Sequence, residues 1–329
     1  MNRRVTMASR PAGLPRESDF ALEEAEVPSP GPGEVLVRTR WLSVDPYQRS
    51  RMSTAHSYAK GLELGDVVTA QAVGEVVESN DPRYEPGDVA LGQLGWQDYA
   101  VARAGSLRQV PPGIEPQLAL HVLGATGLTA YFGILDVAKP VPGDTVVVSA
   151  AAGAVGSIAG QIARIMGCRT VGIAGGAEKL EDVRDFYRFD DAIDYKSDDV
   201  REAVKNACPE GVDVYFDNVG GEISAAVHAR LNVGARIAIC GQVSQYNLER
   251  GQPTFHPATL IVFRARMQGF LVTDYPHRFG EAIPRLARWV MNGDIRYRET
   301  VTDGLENTPR AFIGMLNGEN RGKALVRVA

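Results

Sequence analysis

At 329 residues, with 44% hydrophobic and 23% charged residues, the chain has the length for two domains and the composition of an ordinary globular protein. A net charge of −5, with Lys and Arg scattered, gives no electrostatic reason to seek nucleic acid or acidic membranes, and no apolar run nears the roughly 20 residues of a spanning helix. Cys168, Cys208 and Cys240 are far apart and form no CxxC pair, which argues against a disulfide framework or zinc knuckle; with no charged-then-apolar leader, the expectation is a cytoplasmic protein whose partner is a small molecule.

From Met1 to about His121 the pattern is short strands between turns. Strands are predicted over Glu34 to Arg40, Val67 to Glu78, Asp88 to Gly92 and Gln97 to Val101, with Pro and Gly clusters between them. From about Val122 strands alternate with helices, the signature of an α/β doubly wound parallel sheet. A helix is predicted through Gly127 to Leu135. Strands follow at Thr145 to Val148, Arg169 to Ala174, Val212 to Phe216, Ala235 to Cys240 and Met267 to Val272. Helices are predicted at Leu180 to Tyr187, Ala225 to Leu231 and Phe279 to Asn292. From Ile295 the texture returns to strand and turn, with a short helix near Pro309 to Asn317. The expected organisation is a β-rich domain over 1–122, completed by 296–329, and a nucleotide-binding domain over 123–295.

The most informative stretch runs from Pro142 to Gly156. A β-branched strand at Thr145 to Val148 delivers a turn almost without side chains to a helix whose apolar face is Val155, Ile158, Ile162, Ile165 and Met166. Such a turn lets a backbone approach a pyrophosphate, whose charge is met by the helix N-terminus. Against the usual dinucleotide spacing, Ala151 stands where the first glycine belongs, while Gly153 and Gly156 hold the other two places. A purely structural turn is the competing interpretation.

In NAD enzymes an acid about 20 residues beyond the turn, ending the second strand, bonds the ribose. Here that strand ends Ile173-Ala174-Gly175-Gly176, with no carboxylate. Lys179 supplies a cation for a 2′-phosphate, and Tyr195, after the next expected strand, a hydroxyl. This charge logic favours NADP over NAD; alternatively Lys179 is a solvated helix-start lysine beside Glu178. A metal site has few candidates. His56 and His121 are the histidines of the first domain, and neither has partners at metal-ligand spacing. The run Gly318 to Lys323 is too short between its glycines for an ATP phosphate loop. Cys240 reads as a small strand-end residue rather than a nucleophile, and Arg264 and Arg266 as a solvated loop.

Five motifs occur in order: Ser43-Val44-Asp45-Pro46-Tyr47-Gln48-Arg49, Gly127-Leu128-Thr129-Ala130-Tyr131, Ala151-Ala152-Gly153-Ala154-Val155-Gly156, Asp217-Asn218-Val219-Gly220-Gly221, and Cys240-Gly241-Gln242-Val243-Ser244-Gln245-Tyr246-Asn247. Together, over essentially the whole chain, they resemble the zinc-free prostaglandin reductase and plant 2-alkenal reductase family of the medium-chain dehydrogenase/reductase superfamily. The resemblance implies a GroES-like first domain and a Rossmann second one, a homodimer, and NADPH-dependent reduction of the carbon–carbon double bond of α,β-unsaturated aldehydes and ketones. It implies no metal. By the same resemblance Gly153, Ala154, Val155 and Gly156 hold the pyrophosphate, and Lys179 and Tyr195 meet the 2′-phosphate. Asn218, Cys240 and Tyr246 line the cofactor cleft, Phe270, Leu271 and Val272 run along the nicotinamide, and Asn320 closes from the C-terminal segment. Substrate is expected between the domains near Tyr47 and Tyr246. The chain departs from the family at Gln48, where methionine is frequent, and at Thr126, where proline is frequent; both positions are expected to border the substrate.

Hydride arriving at the β-carbon of an enone pushes charge onto the carbonyl oxygen, so the chemistry needs donors aimed at that oxygen rather than a strong base. Tyr246 is the candidate for that donor or for holding the cofactor ribose. Tyr47 is the candidate second polar group or aromatic wall. The α-carbon proton then comes from water or from a tyrosine. The alternatives are a zinc-free NADPH quinone reductase and a non-catalytic NADPH-binding protein.

Overall fold

Alternation of apolar and polar residues in short segments yields antiparallel strands in the first part of the chain, and the computed structural model describes residues 1–54, 60–248 and 255–328. Its contacts form two units, Met1–His121 with Glu299–Ala329, and Val122–Arg298. In the first unit, β1 (Asn2–Met7) pairs antiparallel with β2 (Phe20–Ala25). After these come β3 (Glu34–Ser43), the short helix α1 (Tyr47–Arg51), β4 (Gln71–Ser79), β5 (Val89–Gln93), β6 (Tyr99–Arg103) and β7 (Arg108–Gln109).

The second unit opens with α2 (Ala125–Phe132), which continues as a wider turn of helix to Ala138. Then follow β8 (Thr145–Ser149), α3 (Gly156–Ile165), β9 (Arg169–Ala174), α4 (Ala177–Glu181), β10 (Asp191–Asp194), α5 (Val200–Ala207), β11 (Val212–Asp217), α6 (Gly221–His228), β12 (Leu231–Ile239), α7 (Ala258–Phe263), β13 (Arg266–Gly269) and α8 (Phe279–Met291). The six strands β8 to β13 form one parallel sheet in the order β10-β9-β8-β11-β12-β13. All five residues of β8 are buried, as a strand covered on both faces requires. On α3, Ile158 and Ile162 are fully buried, whereas Ile165 at the end of the same stripe is 37% exposed.

The chain returns to the first unit through β14 (Glu299–Asp303), α9 (Thr308–Leu316) and β15 (Lys323–Arg327). Their strands extend the first sheet to the order β14-β15-β3-β4-β5-β7, with β6 also on β3. Phe312 of α9 packs on Phe20 and Trp96, ring centroids 6.3 and 5.7 Å away, so the C-terminal segment completes that unit's core. The strand β3 outruns its predicted end at Arg40 because Trp41, Leu42 and Ser43 pair with Arg327, Val326 and Leu325. The last parallel strand is shorter than predicted. It stops at Gly269, and Phe270 turns its ring onto Phe216 instead, at a centroid distance of 6.2 Å. Among the described residues no helix is long and apolar enough to cross a membrane.

Candidate cofactor and active site

The sheet order places its reversal between β8 and β11, where ligands of doubly wound sheets lie outside the carboxyl ends of the strands. The glycine turn leaves β8 at this point. Its residues are held by backbone bonds from Ala151 N–H to Ile173 O (3.0 Å) and from Gly153 N–H to Ala150 O (2.9 Å). A Cβ at Gly156 would lie 2.3 Å from the Ala150 carbonyl oxygen, so only glycine lets α3 start this close to the turn. Gly153, Ala154 and Val155 are partly exposed there, at a helix N-terminus whose first N–H groups have no intrahelical acceptor. The shape fits a pyrophosphate. One detail differs from the expected glycine pattern: the left-handed residue is Ala150, at φ 50°, while Ala151 is wholly buried.

Toward the sheet edge, Lys179 and Tyr195 come from segments that follow the tips of β9 and β10. Tyr195 is 42% exposed, and its ring lies so close to Gly175 that a Cβ there would meet Cε1 at 2.7 Å. Gly176, at φ 96°, then turns the chain into α4 and so sets where Lys179 begins. The strand β9 ends without an acid, but the neighbouring Asp194 reaches across: its carboxylate accepts the N–H groups of Gly176 and Lys196, each at 3.0 Å. Desolvation works to raise the Asp194 pKa; those bonds outweigh it and leave the group below its ordinary value. Sequence reasoning gave Asp194 no role, although it stands beside Tyr195 at the end of β10.

At the other side of the reversal the ends of β8, β11 and β12 are tied together. The Asn218 amide donates to Ser149 O (2.7 Å), and its backbone N–H donates to Ser149 Oγ (2.9 Å). The carbonyls of Asn218 and Val219 accept the N–H groups of Val243 and Ser244, both at 3.1 Å, so the loop bearing Tyr246 is strapped to the loop bearing Asn218. The Tyr246 hydroxyl accepts the Gln242 N–H at 3.3 Å. Cys240 N–H donates to Asp217 O at 2.8 Å. Desolvation, aided by the Asp217 charge, pushes the Cys240 thiol up to about 12, which favours its protonated form. The ring of Phe270 packs against Phe216 and against the Cα of Gly133, where a Cβ would meet it at 2.4 Å. Leu271 and Val272 follow it, half-buried, at the end of the sheet.

In the first unit, Tyr47 opens α1 and is partly buried. The turn before it is built on buried polar groups. Lys323, 1% exposed, donates to Val44 O (2.6 Å) and pairs with Asp45 (2.9 Å), while Asp45 also accepts from Ser43 Oγ. Gln48, fully buried, accepts the Asp45 N–H at 2.9 Å and donates to Thr69 O at 2.8 Å. Its amide is thus committed to backbone carbonyl and N–H groups. Asn320 donates to Gly322 O at 2.7 Å. His121 is fully buried near Glu299, 3.5 Å away; burial lowers its pKa, with Glu299 opposing. His56 lies outside the described residues. Among the described residues no three His, Cys, Asp or Glu side chains are gathered as a metal site.

A β-rich unit joined to a doubly wound unit with a glycine turn at its reversal point defines a nucleotide-dependent oxidoreductase of the medium-chain type. Residues 3–110 match the N-terminal domain of oxidoreductase family, and residues 154–288 match the zinc-binding dehydrogenase family. The chain is similar to the NADPH-dependent curcumin reductase of Escherichia coli (strain K12), with 47% identity covering 100% of this chain and 97% of that one. It is similar to prostaglandin reductase 1 of Bos taurus, at 42% identity over 98% of each. It also superposes on the crystal structure of CurA in complex with NADPH from Vibrio vulnificus, with TM-score 0.96, 44% identity and 99% of each chain covered. The chain belongs to the prostaglandin reductase and 2-alkenal reductase family of the medium-chain dehydrogenases and reductases.

Proposed function

We propose that this protein reduces the carbon–carbon double bond of α,β-unsaturated aldehydes and ketones with NADPH as reductant. The observation that carries the reading is the character of the groups at the β8/β11 reversal. Asn218 presents a side-chain amide, Tyr246 a phenol whose oxygen accepts the Gln242 N–H, and burial raises the pKa of the nearby Cys240 thiol. NADPH supplies the hydride, which goes to the β-carbon. The protein's part is then to meet the charge that develops on the carbonyl oxygen, and a preorganised hydroxyl does this without a base. Tyr246 is assigned to that oxygen or to the cofactor ribose. Tyr47 is the second side chain assigned to the substrate.

The cofactor contacts in this reading are the turn Gly153, Ala154, Val155 and Gly156, then Lys179 and Tyr195 on the 2′-phosphate. Asn218, Cys240, Phe270, Leu271, Val272 and Asn320 complete the set. The reading includes a cytoplasmic homodimer. The support for the second copy is β13, the last strand of the sheet order among the described residues, beside α7, where no residue is buried and Ile261 and Val262 are 78% and 61% exposed. An open strand edge next to an apolar patch suits a second copy.

The test is NADPH consumption with an enone, an enal, a quinone and a saturated ketone. Turnover with the enone and enal is expected; consumption with the quinone alone overturns the assignment.

A further inference from the structure

We propose that Asp217 is the positioning residue for the nicotinamide half of the cofactor site, acting through the Asn218 and Tyr246 loops and touching neither cofactor nor substrate. The inference rests on the NADPH reading above. Asp217 is 2% exposed at the last position of β11. Its Oδ1 accepts from Ser149 Oγ (3.2 Å), Tyr215 OH (2.9 Å), Val219 N–H (2.9 Å) and Gly220 N–H (2.9 Å), and its Oδ2 from Ser224 Oγ (2.6 Å). Four of the donors converge on Oδ1 and one reaches Oδ2, so the buried carboxylate is surrounded by hydrogen-bond donors, as a buried polar group requires.

The donors come from several parts of the crevice. Ser149 ends β8 and itself holds Asn218 at two points. Val219 and Gly220 form the loop after β11, where Gly220 and Gly221 lie at φ 72° and 63°; the turn brings the two neighbouring N–H groups onto one oxygen. Ser224 lies in α6, so the carboxylate also sits by that helix's N-terminus, where negative charge is favoured. The Asp217 carbonyl takes the N–H groups of Cys240 and Gly241, at 2.8 and 3.1 Å, adding the end of β12. The phenol of Tyr215 is fully buried and its pKa is raised well above the ordinary value by desolvation, with Asp217 adding to the shift, so it remains a donor at any working pH.

In a doubly wound sheet the adenosine ribose lies by the second strand and the pyrophosphate on the first helix. Here those are β9 and α3, so the opposite half of the dinucleotide falls on the ends of β11 and β12. Asp217 organises that side and makes no contact with the Lys179 and Tyr195 side in the hydrogen-bond network above. Removing its charge should therefore loosen one half of the site and spare the other.

The experiment compares Asp217→Asn with the wild-type chain in three readouts: thermal midpoint, titration with NADPH by nicotinamide fluorescence, and titration with 2′,5′-ADP, which carries the adenosine end alone. Loss of one or two hydrogen bonds to a charged acceptor predicts NADPH binding about tenfold weaker, with 2′,5′-ADP within about twofold of wild type. A reduced fluorescence enhancement of the bound nicotinamide should accompany this. Parallel losses for both ligands, or unchanged NADPH binding, overturn the proposal. Should Asp217→Asn not fold, Ser149→Ala with Ser224→Ala keeps the carboxylate, removes two donors and predicts the same selectivity at about threefold. Wild-type chain that binds NADPH but reduces no enone sinks the functional reading and leaves this test standing; wild-type chain that binds no NADPH sinks both.

Discussion

Two ends of one sheet edge handle polar chemistry in opposite ways. Beyond β9 and β10, Lys179 and Tyr195 stand partly or largely in solvent, and the local order comes from glycine backbone and Asp194. Beyond β8 and β11, a buried carboxylate accepts from five donors, and the same residue's backbone carbonyl takes the N–H groups at the end of β12. A phosphate brings its own charge and is selected by a cation that needs little placement, whereas a hydride donor must be aimed, and aim requires loops that do not move. The glycine turn lies between the ends, and in the proposed reading it serves both.

The largest expected effect therefore comes from the turn itself. Gly156→Ala places a Cβ 2.3 Å from a backbone oxygen that cannot swing away, so the helix start must shift. Both NADPH and 2′,5′-ADP should bind about a hundredfold less tightly, with about 1–3 kcal/mol lost in stability. Titrations of the kind described above check it, and binding within about threefold of wild type would show that the turn tolerates displacement.

Next is Tyr246→Phe, at the ordered end. Loss of one oriented donor should reduce kcat by about 10–100-fold and leave the Kd for NADPH nearly unchanged. Unaltered kcat retires the tyrosine from catalysis. At the solvent end Lys179→Ala should cost less. It should weaken NADPH by about tenfold and NADH hardly at all, because a partly exposed ion pair is screened; equal losses for both cofactors would remove Lys179 from phosphate recognition.

Acid should attack the buried end. His228 is 7% exposed against Tyr215; burial lowers its pKa, and Asp217 opposes. The unfolded chain then takes up the proton first, so this contribution is whole above about pH 6.5 and is lost as the pH falls, by at most about 1.4 kcal/mol per unit. His228→Gln should flatten the decline of thermal midpoint on acidification, and a slope identical to wild type would mean that the imidazole is solvated.

Much of this was legible because it is local. The strand at Arg169 to Ala174 was predicted to the residue, and the period change around Val148 to Gly156 marks the turn without any tertiary information. The helix α5 was missed, although Asp199 caps it by accepting the Arg201 and Glu202 N–H groups, and Val200, Val204 and Ala207 have helical spacing. Its apolar stripe is narrow amid charge. What could not be read is pairing across long separations. The reach of β3 to Ser43 depends on residues near 326, and Lys323, which the sequence offered only as the end of a run unlike a phosphate loop, is buried in a pair with Asp45. The weight of Asp217 was hidden in the same way. Its neighbour Asn218 was picked out from the shared motif, but Ser149 and Ser224 meet the carboxylate only after the strands assemble.

The smallest effect tests whether the central turn is as rigid as the ordered end. Ala150 sits at φ 50°, a conformation that costs a residue with a Cβ about 1–2 kcal/mol. Its carbonyl cannot relax, since it receives the Gly153 N–H and faces Gly156 at close range. Ala150→Gly removes the strain but gives the unfolded chain more freedom, so the two terms partly cancel and a net gain of about 0.5–1 kcal/mol is expected. The carbonyl stays where it was, so cofactor affinity should not change. A gain in thermal midpoint with unchanged NADPH affinity means that strain is a by-product of bringing α3 close to β8. If affinity falls while the midpoint rises, the side chain itself holds the turn in its binding shape, and the turn belongs with the preorganised end of the site rather than between the two.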